Sequence, residues 1–111
     1  MGTRKTNPDF TNGVPELLVL RLLSREPMHG YALVAKIKAA TGAGLEFGEG
    51  SIYPVLHRLE SEGKLSARDE QVNGRSRMVY HVTKDGLAQL DASLEKWNRV
   101  VSAVQLALQG G

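Results

Sequence analysis

The chain has 111 residues, 41% of them apolar, and its 14 basic side chains nearly balance 12 acidic ones, for a net charge of +2. That length predicts one domain with a modest core, and that apolar share excludes overall disorder. Cysteine is absent, which excludes disulfides, thiolate nucleophiles and cysteine-based zinc sites. There is no run of 18 apolar residues to span a membrane, and the opening MGTRKTNPDF lacks the apolar centre of a signal peptide. A cytoplasmic protein is the simplest expectation. With so small a net charge, any case for nucleic acid must rest on where the bases sit.

Residues 1–12 are polar and predict a flexible arm. VPELLVLRLLS, from Val14 to Ser24, reads as a helix. Pro15 suits its first turn, and Glu16 suits its positive end. Leu17, Leu18, Val19, Leu20, Leu22 and Leu23 leave it almost no polar face, so it must be buried on most sides, in part by a second subunit. Pro27 ends it, and Gly30 starts the next segment. Tyr31 to Thr41 then carries Leu33, Val34 and Ile37 on one face, with Lys36 and Lys38 outward. Gly42 and Gly44 stop that helix.

After the loop LEFGEG comes SIYPVLHRLESEG. Ile52, Val55, Leu56 and Leu59 form one apolar stripe at i, i+3, i+4 and i+7. Ser51 is the expected cap, which puts Pro54 in the first turn, where its missing donor costs little. Gly63 is the expected stop. Two extended runs, 65–72 and 75–82, flank Asn73-Gly74, a strong signal for a hairpin with positive φ at both turn positions. Alternation places Met78, Tyr80 and Val82 on one side, with Met78 and Tyr80 expected in the core. Gly30 and Gly86 are expected backbone requirements. Thr83 caps a last helix whose apolar positions, Leu87, Leu90, Leu94, Trp97, Val101, Val104 and Leu108, follow spacings of 3 and 4. At 1.5 Å per residue that helix reaches about 35 Å, farther than so small a domain can cover.

Helix, helix, helix, hairpin, long helix is the order of a winged helix-turn-helix: mainly α, a three-helix core with a two-stranded wing, then a long dimerisation helix. The predicted divisions are 13–83 for the winged domain, 84–108 for the dimerisation helix and 109–111 for a tail. The second helix of such a pair enters the DNA major groove with its N-terminal residues nearest the bases. Its free positions here are Ser51, Tyr53, Pro54, His57, Arg58 and Ser61. Serine, histidine and arginine can bond bases or phosphates, and Tyr53 can reach a phosphate. Arg75 and Arg77 near the wing tip suit the minor groove or its phosphates. Lys36, Lys38 and Lys64 are candidate backbone contacts.

On these residues the chain also resembles the PadR family of winged-helix transcriptional regulators. The resemblance runs from Gly13 to about Trp97, through the leucine-rich first helix, MHGYALVAKI, GEGSIYPVLHRLESEGKL, GRSRMVYHVTKDGLAQL and a tryptophan in the last helix. It implies a homodimer held by the last helix with help from the first. It also implies repression at an inverted-repeat operator, with release by a small effector or a stress signal. By position, Tyr31, Ser51, Tyr53, Pro54, Arg58, Gly74, Arg75 and Arg77 match DNA-facing residues. The dimerisation set is then Leu17, Leu18, Leu90, Leu94, Trp97, Val101, Val104 and Leu108. A single helix after the wing matches the short-tailed subgroup, in which a planar aromatic effector can enter a pore at the dimer centre and stack on a tryptophan. Trp97 matches that position, and an interface anchor is the plainer reading of it.

The other candidate functions are weaker. A winged-helix protein-interaction module without DNA binding is the alternative, favoured only by the small net charge. An enzyme finds no support, since there is no phosphate loop and no recognisable nucleophile arrangement. His29, His57 and His81 lack acidic neighbours at ligand spacing, so neither a metal nor a cofactor is expected.

Overall fold

A computed structural model describes residues 13–110. The elements in chain order are α1 (Gly13–Arg25), β1 (Met28–His29), α2 (Gly30–Ala40), α3 (Glu49–Ser61), β2 (Leu65–Val72), β3 (Arg75–Val82) and α4 (Lys84–Gly110). The predicted arm at 1–12 lies outside the described residues.

The core forms where the apolar stripes of the short helices meet. Val19, Leu20, Leu22 and Leu23 of α1 pack with Leu33 and Ile37 of α2 and with the full α3 stripe of Ile52, Val55, Leu56 and Leu59. Leu65, Tyr80 and Leu90 close the cluster from the sheet and α4. Buried groups of this kind contribute about 1.5–3 kcal/mol each, which is why the helical order is enforced. Leu17 and Leu18 are only half-buried against this cluster, as is Leu94.

Three helix starts show how local chemistry sets the boundaries. His29 caps α2, its Nδ1 accepting from the Ala32 N–H at 3.3 Å. Thr83 caps α4 as expected, with Oγ1 accepting from the Gly86 N–H at 3.1 Å. The cap expected at Ser51 is overturned: α3 starts at Glu49, its cap is Gly48, and no side chain bonds the cap position. Pro54 therefore lies inside the helix and not in its first turn. It leaves the Gly50 carbonyl without its helical donor, at a point still close to the solvent-exposed start.

The hairpin forms on the expected residues, with Val72 opposite Arg75 and Leu65 opposite Val82. Asn73 and Gly74 have φ of 53° and 79°, the left-handed pair that a two-residue turn demands. The sheet has a third strand that was not expected: β1 pairs antiparallel with β3, Met28 against Tyr80 and His29 against Val79, in the order β1-β3-β2. A two-residue strand is too short to show any periodicity. A second correction concerns Met78. Tyr80 is buried in the core cluster of the helices, but Met78 lies outside that cluster, farther out on the wing, and is 45% exposed.

Candidate nucleic-acid interface

The apolar stripe of α3 turns Ser51, Pro54 and His57 outward, and all three are exposed. Tyr53 is half-buried, with its ring laid across the head of α2. A Cβ on Gly30 would sit 2.5 Å from Tyr53 Cζ, so any other residue there must displace the Tyr53 ring. His57 follows one turn later, its ring 6.0 Å from that of Tyr53. On α2, Tyr31 is 62% exposed and stacks flat on His29 at 6.4 Å. The structure thus brings Tyr31, Tyr53 and His57 around the junction of α2 and α3, with Tyr31 and His57 exposed.

Gly74 and Arg75 are exposed at the wing tip, and Arg77, opposite Glu70, is half-buried. The wing also holds a pair that sequence reasoning missed, because its residues lie on different strands: His81 Nε2 donates to Glu70 Oε2 at 2.7 Å. Among the described residues no cluster of His, Asp or Glu could hold a metal ion.

Two of the expected DNA contacts, Arg58 and Lys64, also have partners within the chain. Arg58 Nη2 donates to Glu16 Oε1 on α1 at 2.8 Å, and Nη1 reaches Glu62 Oε1 at 3.4 Å. The hydrogen bond to Glu16, and then the nearby carboxylate charges of Glu16 and Glu62, hold the guanidinium pKa above its ordinary value against some loss of hydration. Lys64 Nζ lies 3.8 Å from Glu62 and 3.5 Å from Gln89 Oε1 on α4. Arg58 nevertheless stays exposed at 41% of its side chain, whereas Lys64 is half-buried. Lys38 pairs loosely with Glu46 at 3.8 Å, an exposed ion pair of little energetic weight. The helical wheel gives no warning of the Arg58 pairing, since Arg58 lies at least as far from the buried stripe as Ser51 does.

The outer half of α4 is the other unfinished surface. Leu90 is buried, but Val104 is 50% exposed and Leu108 80% exposed. Trp97 and Val101, between them on the seam, are half-buried. Among the described residues no helix is long and apolar enough to cross a membrane.

The sequence profile of the transcriptional regulator PadR-like family matches residues 19–92. The crystal structure of a PadR-like transcriptional regulator from Bacillus cereus is similar, with a TM-score of 0.79 and 34% identity, over 89% of this chain and 95% of that one. The transcriptional regulator Rv3488 of Mycobacterium tuberculosis is 33% identical over 82 residues, 74% of each chain. Bacillus subtilis PadR in complex with operator DNA matches with a TM-score of 0.65 and 26% identity, over 73% of this chain and 46% of that one.

Proposed function

The chain belongs to the PadR-like family of DNA-binding transcriptional regulators, and from that premise we propose that it is a cytoplasmic homodimeric repressor of an inverted-repeat operator, released by a small effector. Ser51, Pro54 and His57 meet the major groove, with Tyr53 and Tyr31 on the adjoining phosphates. Gly74, Arg75 and Arg77 bring the wing to the minor groove or its edge. The observation that carries the DNA reading is the outward face of α3, exposed and polar on a helix whose other side is wholly committed to the core.

Dimerisation through α4 is supported by the bare seam at Val104 and Leu108. A second copy laid along it would cover the apolar positions at heptad spacing, with Leu17 and Leu18 contributing from α1. Twofold symmetry then sets two α3 helices about 34 Å apart, one turn of DNA. Trp97 lies on the same seam. It either anchors the interface or offers a stacking surface to a planar aromatic effector.

Selection of duplexes from random DNA by the purified protein tests this reading. The expected product is a palindrome bound two chains at a time, with affinity falling steeply as salt rises. Binding without sequence preference, or by a single chain at working concentration, overturns it. For the effector, a Trp97→Ala protein that stays dimeric but keeps full affinity for planar dyes removes the stacking role.

A further inference from the structure

The recognition helix is fastened to α4 by polar contacts that the apolar core does not require. At its C-terminal end, Thr83 Oγ1 donates to the Gly63 carbonyl at 2.6 Å, and the Thr83 N–H donates to the Lys64 carbonyl at 3.1 Å. Gly86, in the first turn of α4, lies so close to the Lys64 carbonyl that any Cβ would collide with it. Farther along, one carboxylate spans three helices. Glu16 Oε1 accepts from Arg58 on α3, while its Oε2 accepts from Gln89 Nε2 on α4 at 3.2 Å. Gln89 is itself oriented by Ser93 Oγ at 3.3 Å and Lys64 Nζ at 3.5 Å.

Preferred helix crossing angles differ by about 15–20° from one packed pair to another, so apolar ridges do not by themselves specify one value. A bonded chain with fixed donor and acceptor positions adds a directional constraint. The charge-assisted link from Arg58 to Glu16 is the strongest in it, and the Glu16 side chain is only 17% exposed, which limits its screening by water.

We infer that Arg58 is a positioning residue: the chain Arg58–Glu16–Gln89 sets the angle of α3 on the dimerisation helix, and through it the spacing of the two reading heads. This rests on the dimeric DNA-binding reading above. Arg58 then acts on operator recognition through Glu16 and not through a phosphate contact of its own.

The two roles predict opposite signs. Glu16→Gln removes a negative charge, so on simple electrostatics it should help DNA binding, and it would also free a phosphate-binding Arg58. If Arg58 positions α3, the same change should harm binding.

The experiment measures fluorescence anisotropy of the full-length protein, with a duplex it has itself selected and with a scrambled duplex, across a salt series. Glu16→Gln, Arg58→Gln, the double variant and the charge-neutral Gln89→Leu are compared, each checked for a thermal midpoint near that of the parent. Each single change is expected to weaken the selected duplex about tenfold. The double variant should be no weaker than the singles, the scrambled duplex should bind as before, and the salt slope should not change. Two results overturn the inference: Glu16→Gln binding as tightly as the parent or tighter, or Arg58→Gln lowering the salt slope by about one, the mark of a lost phosphate contact. If Glu16→Gln melts early, Gln89→Leu decides, and its full retention of selective binding sinks the idea. A parent protein that retains no duplex fails the DNA reading itself, whereas variants matching a DNA-binding parent fail only this inference.

Discussion

Helices α3 and α4 carry the same kind of apolar stripe, yet the fold treats them differently. Every stripe residue of α3 is buried in its own chain, with Ile52, Leu56 and Leu59 fully inaccessible. On α4 Leu90 is the one seam residue that is buried, while Leu87 is already 48% exposed and Leu108 80%. Length accounts for the outer part of that difference. Thirteen residues of α3 fit under α1 and α2, whereas the 27 residues of α4 run past the domain that starts them. The same pattern thus means self-burial on a short helix and demand for a partner on a long one.

The sharpest way to break this contrast is to remove matched apolar groups from the two helices. Leu56→Ala should cost about 2–5 kcal/mol of stability, because its surroundings are close-packed and leave a cavity; chemical denaturation reads it as a lowered midpoint. A loss well under that range would mean that the α3 stripe is less committed than its burial indicates. Gly30→Ala comes next, at about 1–3 kcal/mol, since its Cβ must displace the Tyr53 ring. It should also weaken operator binding, which separates it from a pure core change. Thr83→Ala removes the cap that joins both helices, Oγ1 serving Gly86 and Gly63 together; a loss of about 1 kcal/mol is expected in the same assay.

Val104→Asp should leave the single chain almost untouched, within about 0.5 kcal/mol for an exposed site. It should halve the solution mass measured by sedimentation while helical circular dichroism persists. An unchanged mass would show that the bare half of α4 is not the pairing surface. The smallest effect is alkaline. Burial first, then the negative charges of Glu60 and ionised Tyr53, raises the Tyr80 pKa above its ordinary value. The folded state therefore holds this proton more tightly than the unfolded chain does. The stabilisation is complete below about pH 10, the unfolded value, and is lost as pH rises through the folded one. Tyr80→Phe should flatten that alkaline fall in stability, and a slope identical to the parent's would assign it to other groups.

Much of this is legible in the sequence. The hairpin ends fall on the expected residues because an Asn-Gly turn and a period of two are local signals. The Thr83 cap and the four-residue α3 stripe are local in the same sense. Three features were not legible, each for its own reason. Strand β1 exists only because β3 offers Met28 and His29 an edge to pair with. Met78 alternates correctly with Tyr80 but lies beyond the reach of the cover that buries its neighbour. Gly48 displaces Ser51 as the cap because the helix gains a further turn at its open end.

The candidate DNA face divides along the same line. Exposure of Ser51, Pro54 and His57 follows from periodicity once the stripe is recognised. The partner of Arg58 does not follow, since Glu16 lies 42 positions earlier in the chain. What the sequence by itself determined was the set of elements, their order and the apolar faces they must hide, because these depend on spacings within one turn of chain. What only the tertiary structure decided was which polar groups remain free, because a charge is claimed by whatever folding brings within hydrogen-bond reach, and that neighbour is set by packing, not by position along the chain.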